Sequence, residues 1–279
     1  MKNTGYIKFW GVRGSNPTPD SDKMQYGGDT SCVEIRTIDN DCIILDMGTG
    51  IRNLGKKILE DTSYKNEINI LLSHYHWDHI MGFFTFAPLY VEGYNINIYG
   101  YNKHTPINQL SDTLINTNFW PADHNMYKAS IKFNELPFNA NIQNTISIEN
   151  TKILYSIHGH PNGTNSYRLE SNNKSVVYIT DCEHPHGSLN PNVLEISENV
   201  DILIHDSHFT MNDLDKYKGW GHSSWKQAVD VAIKSHVKQL ILFHFCPDYD
   251  DSQVSENEKN AQSKFVNTLA AKQGLKLEF

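Results

Sequence analysis

The chain has 279 residues, 39% hydrophobic and 11% aromatic, which excludes a disordered or fibrous polypeptide and allows a substantial core. Its net charge of −8 argues against a broad basic footprint for duplex nucleic acid, though not against a local positive pocket for one phosphate. The opening "MKNTGYIKFWGVRG" lacks an apolar signal core, no apolar run approaches membrane-spanning length, and Cys32, Cys42, Cys182 and Cys246 show no CxxC spacing, so a soluble cytoplasmic protein with reduced thiols is expected.

In chain order, short apolar runs rich in β-branched residues and bounded by Gly, Asn, Asp or Pro predict strands at 42–48, 67–74, 95–100, 152–160, 175–181, 200–207 and 238–245. Helical patterns occupy 50–61, 223–236 and 255–274. The last stretch ends on Lys272 and Gly274, a helix stop, ahead of a short "LKLEF" strand. Strands followed by helices imply a layered α/β fold, expected as one domain over 1–279. Residues 101–150 stand apart: they are Asn-rich, poorly periodic and carry aromatics in "TNFWPADHNMY". This excursion is expected to be either a lid over a site or the interface of a homodimer.

Chemistry concentrates in "LLSHYHWDHIMG", residues 71–82, where His74, His76, Asp78 and His79 fall within six positions directly after an apolar run. Clustered imidazoles repel when protonated and leave polar nitrogens needing partners when neutral, so the cluster demands a use. His74 and His76 alternate, so an extended backbone points both rings one way, while Asp78 and His79 follow a turn. Further ligand-type residues end other strands: His160, Asp181, Asp206 and His244. Neighbouring strands converge such residues on one rim. Neutral imidazole with carboxylate and no thiolate suits Zn²⁺, with Mn²⁺ or Fe²⁺ also compatible. A bridging Asp would hold two ions roughly 3.5–4 Å apart, as two-metal hydrolysis needs.

"SHYHWDHIMG" resembles the HxHxDH signature of the metallo-β-lactamase superfamily, and the later ligand-type residues occur in that superfamily's order. With "FWGVRGSNPTP", "YGGDTSCVEI" and "ILDMGTGIRNLG", the chain is most similar to the phosphodiesterase branch around ribonuclease Z and the cyclic-nucleotide phosphodiesterases of this fold. The resemblance implies a four-layer αβ/βα sandwich. It implies one metal at His74, His76 and His160, another at Asp78, His79 and His244, and Asp181 between them. Alternation puts His158 and His160 of "SIHGHPNG" on one face, and the branch's pattern favours His160; His184 and His186 read as loop residues, one of them within reach of substrate as the alternative. "LIHDSHFT" and "GWGHSSWKQA" resemble motifs that supply a carboxylate–histidine dyad, with Asp206 orienting His222. The implied catalytic set is therefore His222, Asp206 and Asp78. On the residues alone, His222 could instead lie beside a helix start capped by Ser223 or Ser224.

The resemblance implies a binuclear phosphodiesterase acting on a small substrate, foremost a 3′,5′-cyclic nucleotide. The alternatives are a ribonuclease Z-type RNA-processing endonuclease and a non-catalytic ligand-binding member of the fold. The extended Gly- and Pro-rich arm with which ribonuclease Z grips tRNA has no counterpart in this sequence, and with the acidic balance tRNA is not the expected substrate; on charge and hydropathy, neither duplex nucleic acid nor a membrane is an expected partner.

Overall fold

The structure is a computed structural model that describes residues 4–123, 125–139 and 144–279. His124 and 140–143, which belong to the 101–150 excursion, lie outside the described residues. The strands are β1 (Tyr6–Gly11), β2 (Cys32–Arg36), β3 (Cys42–Leu45), β4 (Glu67–Leu71), β5 (Asn95–Gly100), β6 (Ser130–Glu135), β7 (Asn144–Ile148), β8 (Thr151–His158), β9 (Thr164–Ser171), β10 (Lys174–Ile179), β11 (Ile202–Asp206), β12 (Gln239–Phe243), β13 (Thr268–Ala270) and β14 (Lys276–Glu278). Among the described residues they form two mixed sheets, ordered β14-β1-β2-β3-β4-β5-β6 and β13-β12-β11-β10-β9-β8-β7. β3 to β6 run parallel in the first, and β10 to β13 in the second.

One buried cluster joins Ile7, Phe9, Val33 and Leu45 of the first sheet to Tyr155, Tyr167, Tyr178 and Leu242 of the second, so the sheets face each other. A second cluster covers the outer face of the first sheet. There α1 (Ile51–Glu60) buries Ile51, Leu54 and Ile58, the three- and four-residue spacing that puts side chains on one helix face. Each such side chain contributes about 1.5–3 kcal/mol on burial. α2 (Trp77–Ile80) is one short turn, α3 (Ile107–Leu114) adds to the same outer face, and α4 (Pro191–Ile196) and α5 (Met211–Leu214) are short. α6 (Trp225–Lys234) packs Ala228, Val229, Val231 and Ala232 against the second sheet, with α7 (Asp251–Gln262) beside it. The result is the expected αβ/βα sandwich.

Two expectations need correction. The helical stretch 255–274 stops at Gln262, because Thr268–Ala270 pairs in parallel with β12 as a sheet edge; that tertiary pairing outweighs the Ala- and Lys-rich local pattern. The 101–150 excursion is only partly irregular, since it contains α3, β6 and β7, and these strands close the edges of the two sheets. Trp120 does not hang free: it stacks on Phe84 at 5.2 Å and its Nε1–H donates to the Tyr90 hydroxyl at 3.3 Å. Phe119 is exposed.

Candidate metal centre

The loop after β4 delivers His74 and His76, and α2, which follows directly, delivers Asp78 and His79. The second sheet delivers His160 from the β8–β9 turn, Asp181 after β10 and His244 after β12. All seven converge. Coordinating atoms of His74, His76 and His160 form one group and those of Asp78, His79, Asp181 and His244 another, each within 4.8 Å. Asp181 faces both: its Oδ1 lies 3.9 Å from His74 Nε2 and 3.7 Å from His160 Nε2, and its Oδ2 lies 3.0 Å from His79 Nε2 and 3.2 Å from His244 Nε2. Asp78 Oδ2 sits 3.1 Å from His79 Nε2 and 3.2 Å from His244 Nε2.

The donor set fits cations. His160 Nδ1–H donates to the Gly221 carbonyl at 2.9 Å, which leaves the Nε2 lone pair facing His76 Nδ1 at 3.0 Å. His74 Nε2 is buried with no protein hydrogen-bond partner. Burial, with neighbouring rings, holds His74 far below the ordinary imidazole range and His160 down to about 4, so both keep lone pairs. Burial also disfavours charge on His79, yet Asp78, Asp181 and Asp46 outweigh it and raise its proton affinity well above normal. Three carboxylates around buried rings attract positive charge, which a divalent ion supplies in place of the proton.

Three residues at this rim adopt left-handed backbone: Asp46 at φ 64°, Asp181 at φ 51° and His244 at φ 62°. Each follows a strand end, and each belongs to the residue types that tolerate this region best. Such strain persists where surrounding structure over-determines it, commonly at functional sites. Asp46 escaped sequence reasoning. Its carboxylate accepts from His79 Nδ1–H (2.8 Å), Ser73 N–H (2.7 Å), Ser73 Oγ–H (2.8 Å) and Tyr178 Oη–H (2.8 Å), so it fixes the ring orientation of His79. The signal was present: Asp46 closes the strand "CIILD" as Asp181 and Asp206 close theirs.

His222 Nδ1 lies 3.0 Å from Asp206 Oδ2 and 3.7 Å from Asp181 Oδ1. Burial opposes its charge, but Asp206 and the hydrogen bond prevail and raise its affinity for a proton. Asp206 is held down to about 2: burial pushes it up, and the His222 charge and hydrogen bond outweigh that. The helix-start role belongs to Ser224, which forms a capping box with Gln227 and leaves His222 outside the cap. His208 stacks on His222 with ring centroids 4.1 Å apart. Glu183 accepts from the Gly219 and Gly221 amides, each at 2.8 Å, and so ties the loop carrying His222 to the strand end carrying Asp181. Gly221 is required there: its φ is 89°, and a Cβ would lie 2.0 Å from His160 Nδ1.

Two clefts meet the centre. One, of about 350 Å³, is lined by His74, His76, Trp77, His104 and Leu110, so the start of the excursion reaches the site. The other, of about 640 Å³, is lined by Glu183, His186, Met211, Tyr217, Lys218 and His222.

Comparison with known proteins bears on this arrangement. Residues 42–245 match the Beta-lactamase superfamily domain. The chain is 26% identical to ribonuclease Z of Picrophilus torridus, over 99% of this chain and 96% of the relative. It is 31% identical to ribonuclease Z of Parabacteroides distasonis over 104 residues, 37% of this chain and 32% of that relative. Among solved structures, the metallo-beta-lactamase fold protein YhfI of Bacillus subtilis superposes with a TM-score of 0.73 at 19% identity, covering 100% of both chains. Human tRNase Z, short form, gives 0.68 at 18% identity over 98% of each chain.

Proposed function

The chain belongs to the β-lactamase superfamily, and from that premise we propose that it is a metal-dependent hydrolase of phosphodiester bonds with a binuclear centre, most suited to zinc. We assign His74, His76 and His160 to one ion, Asp78, His79 and His244 to the other, and Asp181 to both. The observation that carries this reading is the division of Asp181, one oxygen toward each group. Bound ions of this kind polarise phosphoryl oxygens and make water nucleophilic near neutral pH.

The chain's own residues do the rest. Asp46 and Gly221 orient His79 and His160 through their Nδ1 protons. The Ser15 amide donates to Asp78 Oδ2 at 2.8 Å and steadies that carboxylate beside the reaction centre. His222, charged by virtue of Asp206, offsets charge on a phosphoryl oxygen or protonates the leaving alkoxide. The side chains of the cleft beside it, Tyr217 and Lys218, offer a ring and a cation to a nucleotide.

Two substrates have support. A small phosphodiester, foremost a 3′,5′-cyclic nucleotide, is favoured by the net charge of −8, which argues against a broad basic surface for a polynucleotide. An RNA-processing endonuclease of ribonuclease Z type is favoured by the names of the relatives, and they weigh toward this second reading. In either case the 101–150 excursion acts as a lid through its first residues, with the exposed Phe119 available to a homodimer contact. Metal-loaded protein assayed on bis(p-nitrophenyl) phosphate, cyclic nucleotides and precursor tRNA tests the proposal. Turnover of the simple ester with one natural substrate is expected. Metal-replete protein inert toward all of them would remove phosphodiester hydrolysis.

A further inference from the structure

A second histidine cluster lies immediately beside the centre and takes no part in the chemistry above. Cys182 follows Asp181, His205 precedes Asp206, His158 stands two residues before His160, and His184 packs its ring on His205 with centroids 5.6 Å apart. All four side chains are buried. Coordinating atoms of Cys182, His184 and His205 lie within 4.8 Å of one another. Four ring nitrogens here have no protein hydrogen-bond partner: both of His158, Nε2 of His184 and Nε2 of His205. Leaving a buried polar atom unsatisfied is costly, and four in one cluster call for a ligand.

We infer that Cys182, His184 and His205 bind a further divalent metal ion of the zinc type, next to the unpartnered ring of His158. One thiolate with two imidazoles is a donor set that zinc takes. His205 is prepared for it: its Nδ1–H donates to the Asp206 carbonyl at 2.8 Å, which places the lone pair on Nε2. An ion there would tie together the chain segments bearing Asp181 and Asp206, and so set their spacing on the catalytic rim. The rival is a metal-free cluster. In that form His184, whose Nδ1 accepts the Asn190 amide at 3.1 Å, carries its proton on Nε2, an atom with no protein partner. Metal binding through Nε2 requires that bond to be surrendered.

Titration of metal-free protein with cobalt(II) separates the two. Thiolate ligation gives a sulfur-to-cobalt charge-transfer band that imidazole and carboxylate ligands do not, and no cysteine stands among the seven residues of the main centre. The expected result is that band, with one equivalent of cobalt beyond those of the main centre. Cys182→Ser and His205→Phe should each abolish the band and lose that one equivalent. Saturation of the wild-type protein without the band, or a band surviving in Cys182→Ser, overturns the site. The wild-type spectrum decides by itself if either variant fails to fold.

Discussion

The first sheet brings His74, His76, Asp78 and His79 to the centre from a single stretch after β4, while the second brings His160, Asp181 and His244 from three separate chain segments. In the first case the relative placement of the residues is local: the turn into α2 fixes it over six positions. In the second it depends on pairing, since β10, β11 and β12 run parallel in register, with Tyr178 opposite Ile204 and Ile204 opposite Ile241. The two halves thus fail differently. A change in the loop should remove a ligand and leave the rest in place, whereas a change at the second sheet's rim should also disturb the relation between the halves, because Asp181 is the side chain that faces both.

Asp181→Ala therefore carries the largest expected effect. In a Cys182→Ser background, which removes the further site, elemental analysis of protein purified without chelator should approach two equivalents of transition metal when Asp181 is intact. Adding Asp181→Ala should remove at least one, along with nearly all activity. Full metal content in Asp181→Ala would show that each half holds its ion alone.

His222→Ala comes next. His222 lies outside the seven proposed ligands, so both ions should stay, while kcat falls about 10²–10⁴-fold with little change in KM. The loss should be smallest for p-nitrophenyl esters, whose leaving group hardly needs a proton. A variant that melts earlier yet turns over normally at low temperature would leave His222 a structural role only.

Asp46→Asn tests whether the local half is as self-sufficient as it looks. Asp46 accepts four hydrogen bonds in the interior, and an amide must turn an NH₂ toward some of those donors. Metal affinity or activity should drop about 10–100-fold, the usual cost of losing a group that orients a ligand. Unchanged metal affinity, measured by competition with a chelator, would show that the loop orients His79 without support from β3.

The same contrast explains what was legible in the sequence. His74 to His79 announce themselves because local geometry is written in adjacent residues. Asp181, Asp206 and His244 are legible only as polar endings of apolar runs, a weaker signal that becomes specific when several agree, and it passed over Asp46 in the same position. The left-handed backbone at Asp46, Asp181 and His244 leaves no mark in composition, since packing of the finished sheets imposes it. β6, β7, β9 and β13 were illegible for a related reason. Stretches such as "TNSYRLES" and "TLA" become strands through the neighbours they pair with, more than through their own pattern.

Asp206→Asn should give the smallest effect and the most informative one. Asp206 Oδ1 accepts the His208 amide at 2.9 Å and the Ser223 amide at 3.2 Å, while Oδ2 faces His222 Nδ1 and accepts the Cys182 amide at the longer distance of 3.3 Å. In the variant the amide oxygen should stay with the two backbone donors at the Oδ1 position, giving up the longer Cys182 bond, which turns the NH₂ toward His222. The ring then has to accept at Nδ1, a neutral form, and loses the carboxylate that raised its proton affinity. The sign follows directly. If the charged ring is the active form, activity is complete below the His222 pKa and declines as pH rises through it. Lowering that pKa moves the alkaline limb of the kcat profile to lower pH. Wild-type and variant rates should converge in acid and separate toward neutral pH, by about tenfold for each unit the limb moves. A uniform reduction at every pH, with the limb in place, would mean that Asp206 positions the ring without charging it, and the second sheet's rim would then act through geometry alone.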